Sequence, residues 1–177
     1  MQILSISNMP PSVEYLLEEK IMKKIIVIII LLILLPTILF AKAYFAGKRE
    51  MVEKAEAIAI IEIVNTEEVE KKGQHWTYRQ KVIGAVEKTL KGNIQDDIIV
   101  YGMENFICAQ CRFEKGRFLL FLQKDNGFWI GSNWHLGIRQ IKDGKIDWFK
   151  NDESPFDIEE KSVQEVTQEI ENILKKK

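Results

Sequence analysis

The chain has 177 residues, of which 46% are hydrophobic and 29% are charged, and its formal net charge is −1. These values are typical of one globular domain with an additional apolar segment. The nearly neutral balance excludes the clearly basic face that a nucleic-acid-binding protein needs, and it gives no polybasic patch for anionic lipids. We therefore expect no nucleic-acid partner, and we expect membrane contact only through the apolar segment.

That apolar segment, residues 25–40, predicts a signal for export. It follows Lys23-Lys24 and precedes Ala41-Lys42-Ala43, so the basic, apolar and A-x-A parts of a signal peptide are all present. The run is slightly shorter than the roughly 20 residues of a membrane span, and Pro36 interrupts its end. We interpret residues 22–43 as a signal peptide, with an uncleaved membrane anchor as the alternative. Both interpretations place the rest of the chain outside the cytoplasm, in the periplasm, secreted, or held at the membrane.

Residues 1–21 form an unusual extension in front of this signal. Signals normally begin at their own methionine, and Met22-Lys23-Lys24 resembles a natural bacterial start. Residues 17–21 can also be encoded by codons that contain a GGAGG ribosome-binding sequence just before the Met22 codon. We therefore expect residues 1–21 to be a mis-assigned leader, a hypothesis that N-terminal sequencing of natively expressed precursor would test.

After the signal, the pattern of residue types predicts a linker and then a β-rich domain. Residues 44–54 are mixed and compatible with a helix, and we interpret them as a linker before a domain at 55–177. Runs rich in β-branched and aromatic residues predict five strands, at residues 57–64, 76–86, 98–102, 117–123 and 128–131. The fourth of these strands is apolar on both faces and should be central, while Gly84 in the second strand indicates a bulge or bend.

Local turn and cap signals complete the predicted fold. Asn126-Gly127 predicts a turn before the fifth strand, and Asp143-Gly144 predicts a hairpin of residues 137–142 and 145–149. Apolar residues spaced by three and four predict an amphipathic helix over 163–174, and Ser162 and Glu165 have the spacing of a capping box. The fold class is therefore all-β with a terminal helix: a small five-stranded OB-fold-like barrel plus a β-hairpin and a C-terminal α-helix, preceded by the N-terminal signal or anchor helix.

The cysteine pair is the one motif with possible chemistry. Cys108 and Cys111 are followed by a strand rather than a helix, and Arg112 stands where an attached haem would need histidine. Outside the cytoplasm two cysteines are usually paired, so we predict a structural Cys108–Cys111 disulfide. A thiol redox pair is one alternative. Another is a metal site of Cys108, Cys111, His75 and His135, although the gaps between them match no zinc module.

Aromatic residues near the later strands suggest a ligand surface. Small barrels bind oligosaccharides and single strands by stacking on such residues, whereas Trp129 and Trp148 are expected in the core or covering the hairpin. No Ser/His/Asp or paired-carboxylate arrangement stands out, so we expect no catalytic residue and no cofactor. The candidate ligand surface consists of Asn133, Trp134, His135 and Trp76.

Several pieces of residues 54–177 resemble the bacterial members of the TIMP-like, netrin-module superfamily. They are 55–64, 78–92, 100–101, 111–122 and the terminal helix, and the most specific is Cys-x-Phe-x-x-Gly followed by an apolar run. The resemblance implies an OB-fold and a secreted location. Animal inhibitors in this superfamily chelate a protease zinc through an N-terminal cysteine, which is missing near Tyr44, so that mechanism does not carry over.

These observations together predict a function in binding. We expect an exported, non-enzymatic OB-fold module that binds a protein or glycan partner in the cell envelope. The alternative is a thiol redox or metal-binding protein that uses Cys108 and Cys111.

Overall fold

The computed structural model describes residues 20–30, 43–94 and 96–176. Residues 20–30 are helical, and the rest of the predicted leader and signal lies outside the described residues. Within the described ranges, no helix combines the length and apolarity needed to cross a membrane. The chain divides into two units after Lys42, and Ala43–Lys177 contains every element discussed below.

This second unit is mostly β-structure with a C-terminal helix, which confirms the predicted class. Two helices, α1 (Lys48–Lys54) and α2 (Val163–Lys175), flank the strands, and a short 3₁₀ turn spans Trp134–Gly137. The strands are β1 (Ala57–Lys72), β2 (Thr77–Lys91), β3 (Asp97–Glu104), β4 (Gly116–Asp125), β5 (Phe128–Gly131), β6 (Ile138–Lys142), β7 (Lys145–Phe149) and β8 (Ile158–Ser162).

The first five strands close into a ring in the order β1-β2-β3-β5-β4, with β4 pairing back to β1. The β3–β5 contact is parallel and the other contacts of the ring are antiparallel. Strand β4 also bonds to β6, from which β7 and β8 continue outwards. Because β4 has three neighbours, its central position is confirmed.

The two faces of β1 and β4 belong to different hydrophobic clusters. Successive side chains of a strand point to opposite faces, so each strand contributes to both. One face lies in the cluster of the ring, with Ala57, Ala59, Ile61 and Ile63 opposite Phe118, Leu120 and Leu122. The other face packs Ile58, Ile60, Leu119 and Phe121 with α1, α2 and β7. This double burial explains why β1 is apolar over residues 57–61 and β4 over residues 118–122, while the charged pair Glu62 and Arg117 lies near the end of the paired length.

Local signals match the structure closely. The residues of both turn pairs, Asn126-Gly127 and Asp143-Gly144, have positive φ angles, as two-residue hairpin turns require. Ser162 and Glu165 form the complete capping box of α2. The register of β1 and β2 shifts directly after the Ile63–Gly84 pair, and a Cβ on Gly84 would lie 2.4 Å from the Ile61 side chain.

Three elements differ from the sequence-based expectation. Residues 44–54 are not a linker, because α1 buries Met51 and Val52 in the outer cluster. The charged residues 67–72, which lie between the predicted strands 57–64 and 76–86, continue β1 along β2 as far as the Lys72–Thr77 pair. Strand β8 is polar and was not predicted; its order comes from pairing with β7 rather than from its own pattern.

Candidate functional site: an aromatic cluster at the loop end

Three loops meet at one end of the ring, which we call the loop end (residues 73–76, 105–115 and 132–137). Strand β2 begins where β3 finishes, because Tyr78 pairs with Glu104. Strand β5 runs parallel to β3 and therefore finishes at the same end. Topology thus brings together segments that are far apart in the sequence.

Three aromatic residues, one from each loop, form the aromatic cluster: Trp76, Phe106 and Trp134. The ring centroids of Trp76 and Phe106 are 5.1 Å apart, those of Trp76 and Trp134 5.7 Å, and those of Phe106 and Trp134 5.0 Å. All three side chains are half-buried, and the neighbouring Ile107 is 90% exposed. The cluster therefore presents an apolar, preformed surface to solvent.

The loop that carries Trp134 has an unusual backbone. Asn133 and Trp134 have φ angles of 59° and 55°, in the left-handed region, which is costly for a bulky residue. Asn133 is fixed by two hydrogen bonds: its Oδ1 accepts from the Ala46 amide at 2.7 Å, and its Nδ2 donates to the Ala46 carbonyl at 3.1 Å. The segment before α1 therefore stabilises the conformation that displays Trp134.

The turn that carries Trp76 is held by the buried Asp125. Oδ1 of Asp125 accepts from the Gln74 amide at 2.8 Å, and Oδ2 accepts from the Tyr78 hydroxyl at 2.8 Å. Burial and this hydrogen bond raise the pKa of Tyr78. A Cβ on Gly73 would lie 2.0 Å from Oδ2 of Asp125, so the turn requires glycine at this position.

The loop between β3 and β4 is held by the buried Glu104. Its Oε2 accepts from the Cys111 amide at 2.7 Å, and its carbonyl accepts from Nε2 of Gln110 at 2.6 Å. The Met103 amide donates to the Cys111 carbonyl at 2.7 Å. Burial raises the pKa of Glu104, because the charged carboxylate is removed from water.

The two cysteines of this loop differ in environment. Both are free thiols in the structure, Cys108 exposed and Cys111 buried. Cys111 belongs to the cluster of the ring, and a Cβ on Gly131 would lie 2.7 Å from its Sγ. Burial, and then the adjacent Glu104, raise the pKa of Cys111 well above its ordinary value. The Cys108–Cys111 disulfide stays a prediction.

The structure brings together only part of the predicted ligand surface. Trp76 and Trp134 are in contact. The side chain of Asn133 is instead hydrogen-bonded to Ala46, and the ring centroids of His135 and Phe45 are 5.5 Å apart in an edge contact. Burial lowers the pKa of His135, which favours the neutral ring. Asn133 therefore positions the loop, whereas His135 contacts Phe45 and remains exposed.

The remaining residues singled out from the sequence lie elsewhere. His75 is exposed in the turn before β2. Across the described ranges, no three His, Cys, Asp or Glu side chains form a group that could hold a metal ion. Trp148 is fully buried and stacks on Phe121, and Trp129 is half-buried beneath the Lys124 ammonium, which is 4.9 Å from its ring centroid.

Sequence reasoning missed four residues that build this site. Phe106 and Ile107 directly precede the cysteine pair, and an aromatic–aliphatic pair beside a turn was an available signal. Glu104 and Asp125 carried no signal, because solvated acids are common in this chain and only the fold shows which ones are buried.

No family model, no curated protein and no solved structure matches this chain. The resemblance to the netrin-module superfamily therefore stays a prediction. The loop end has two buried carboxylates that position its loops and an exposed apolar tip, and it is the candidate binding surface of this chain.

Proposed function

We propose that this protein is an exported, non-enzymatic OB-fold module that binds a protein or glycan partner in the cell envelope through the aromatic cluster. A five-stranded ring with a parallel β3–β5 contact, closed by β1 and β4, supports the OB-fold assignment. The signal-like residues 22–43 support export.

The observation that carries the proposal is the contact of Trp76, Phe106 and Trp134. Tryptophan is among the residues most enriched at binding hot spots, and its large rigid side chain loses little entropy on binding. The backbone holds Trp134 in a left-handed conformation, so the ring is displayed in spite of local strain. The 90% exposed Ile107 beside the cluster extends the apolar contact area.

The structure offers less support for the alternative of thiol chemistry. A reactive cysteine is partly exposed and has a lowered pKa, whereas Cys111 is buried and its pKa is raised. The amide of Cys111 anchors the loop to Glu104, and its side chain fills space in the ring. These contacts favour a structural role for the buried cysteine.

Site-directed cross-linking tests the proposed surface. A photoreactive residue at position 107 of the full chain should cross-link a discrete envelope partner in native cells, and Trp76→Ala should abolish the product. Co-sedimentation with isolated cell-wall glycan tests for a glycan partner. In this assay Trp76→Ala should weaken binding by roughly 30-fold, as expected for a hot-spot residue. Ile99→Ala, which removes a 44% exposed aliphatic side chain on β3, is the matched control.

If position 107 gives no specific product and the glycan is not bound, or if Ile99→Ala has the same effect as Trp76→Ala, the aromatic cluster is not the binding surface. Export is tested separately. In fractionated native cells the domain should be accessible to protease added outside the inner membrane, and a protected domain would contradict the proposed location.

A further inference from the structure

A charged cleft lies beside the outer hairpin, and none of the three residues of the aromatic cluster lines it. The β6–β7 ladder has two residue pairs, Ile141–Ile146 and Lys142–Lys145, next to the Asp143-Gly144 turn. A cleft of about 260 Å³ lies alongside it. Its polar lining comes from β6, β7 and β8 and includes Arg139, Lys142, Lys145, Asp147 and Glu160.

Arg139 is the buried cation of this cleft. Its exposed fraction is 8%, and its Cζ lies 4.4 Å from the centroid of the Phe149 ring. Burial lowers its pKa to about 10, which leaves the guanidinium charged at neutral pH. Nε and Nη2 have no hydrogen-bond partner among the described residues. Buried donors are nearly always bonded to protein, ordered water or a ligand, so two N–H groups without a protein acceptor leave room for a partner from outside the chain.

The two free nitrogens are the pair that another arginine of this protein uses to bind a carboxylate. On β4, Nε of Arg117 donates to Oε1 of Glu87 at 2.8 Å, and Nη2 donates to Oε2 at 2.7 Å. The two N–H bonds on this edge of a guanidinium are parallel and match the spacing of two carboxylate oxygens. Arg139 presents the same edge without an acceptor.

The surroundings of Arg139 favour an anion from outside the chain. Phe149 covers the face of the guanidinium and leaves its edge for hydrogen bonding. Lys142 and Lys145 add positive charge to the cleft, although Lys145 is paired with Glu160 at 2.6 Å. Asp147 is near enough to raise the pKa of Arg139, but its carboxylate does not accept a hydrogen bond from Nε or Nη2.

We propose that Arg139 anchors a carboxylate-binding site in this cleft and that Nε and Nη2 bind the two oxygens of the ligand. The ligand is a small carboxylate, or the carboxylate of a peptide or acidic sugar, and the site is independent of the aromatic cluster. Nε and Nη2 are enclosed in this structure, so ligand binding requires side chains around Arg139 to move. Lys142, Lys145 and Glu160, which line the cleft, are long and exposed and can move at little cost.

Nuclear magnetic resonance of the full chain tests this site directly. The Nε–H signal of Arg139, assigned by its loss in Arg139→Met, should shift saturably when acetate or succinate is added, while inorganic phosphate at equal ionic strength should bind about tenfold more weakly. The Arg139→Met chain should lose the saturable response of neighbouring amides. Arg117→Met, which removes the other arginine with a side-on pair, should retain it.

Three results would overturn the proposal. The first is an Nε–H signal of Arg139 that does not respond to either carboxylate, and the second is phosphate binding that equals or exceeds carboxylate binding. The third is a through-hydrogen-bond coupling between Nε of Arg139 and the carboxylate carbon of Asp147 in the absence of ligand, because Asp147 would then be the partner in solution. If Arg139→Met does not fold, Arg139→Lys keeps the charge without the paired donors and should weaken carboxylate binding by about tenfold.

Discussion

Charge is buried in two regions of this protein, and in opposite ways. At the loop end, Asp125 and Glu104 are buried carboxylates with oxygens that accept hydrogen bonds from nearby loops. In the outer hairpin region, Arg139 is equally buried, yet Nε and Nη2 have no partner in the part of the chain that the structure describes. Asp125 and Glu104 hold their loops through these hydrogen bonds, whereas the two unpaired nitrogens of Arg139 are the observation from which we propose a ligand site.

The largest effect on the stability of the fold is expected from a substitution at Asp125. Asp125→Ala leaves the Tyr78 hydroxyl and the Gln74 amide without their acceptor, so the free energy of unfolding should fall by about 3 kcal/mol. Urea unfolding followed by tryptophan fluorescence measures the change. The exposed Asp97→Ala, on β3, is the control and should change stability by less than about 0.5 kcal/mol. Equal effects of the two substitutions would show that Asp125 is not a structural support.

At Arg139 we expect a substitution to raise the free energy of unfolding rather than lower it. Arg139→Met replaces a buried cation whose donors are unsatisfied by an apolar side chain of similar length, and it should raise the free energy of unfolding by about 1 kcal/mol in the absence of carboxylate. Loss of the contact with Phe149 offsets part of this gain. The same urea titration measures the change in the free energy of unfolding. A decrease of more than about 2 kcal/mol in Arg139→Met would show that Arg139 has a stabilising partner in solution.

A pH-dependent effect is expected at Glu104. Its pKa is raised from the ordinary 4.5 by burial, so the folded protein binds this proton more tightly than the unfolded chain does. The contribution to stability is therefore fully present below pH 4.5 and is lost as the pH rises through the folded pKa. Glu104→Gln cannot titrate, so the stability of the natural protein relative to this variant should fall from pH 4 upwards and then level off.

Measuring thermal unfolding of both proteins in the same buffers isolates this group from the other carboxylates. A difference between the two proteins that rises with pH would mean that hydrogen bonds from Cys111 lower the pKa more than burial raises it.

The smallest effect on stability, and the clearest test of the cysteine pair, is thiol reactivity. As free thiols, the exposed Cys108 should be alkylated in the native protein, while the buried Cys111 should react only on unfolding. Mass spectrometry after brief alkylation shows how many cysteines have been modified. If neither cysteine reacts before reduction and both react afterwards, the predicted disulfide is present and Glu104 anchors a covalently closed loop.

Much of the β-structure could be predicted from the sequence because its signals are local. The alternation in residues 76–86 and the turn pairs Asn126-Gly127 and Asp143-Gly144 correspond to β2 and the two hairpin turns. The length of β1 was less predictable, because residues 67–72 are charged and only their pairing with β2 makes them part of the strand. The burial of α1 was also hidden, because Met51 and Val52 alone are too few to indicate a packed face.

The candidate site was predictable only in part, for the same reason. Trp76 and Trp134 were identified by residue type and loop context, whereas the pair Phe106-Ile107 marked an apolar turn but not its contact with the two tryptophans, which depends on strand order. Asn133 and His135 were also assigned to the ligand surface; the Asn133 amide group is bonded to Ala46, whereas His135 contacts Phe45 and remains exposed.

The sequence by itself determined the periodicity of the strands, the position of the turns and the capping box of α2, since each depends on residues within a few positions of one another. Only the tertiary structure decided which side chains meet across the ring, because those contacts depend on strand order. It alone buried Asp125 and Glu104 among hydrogen-bond donors and buried Arg139 with two nitrogens unpaired, since burial is a property of neighbours that the chain brings together from distant positions.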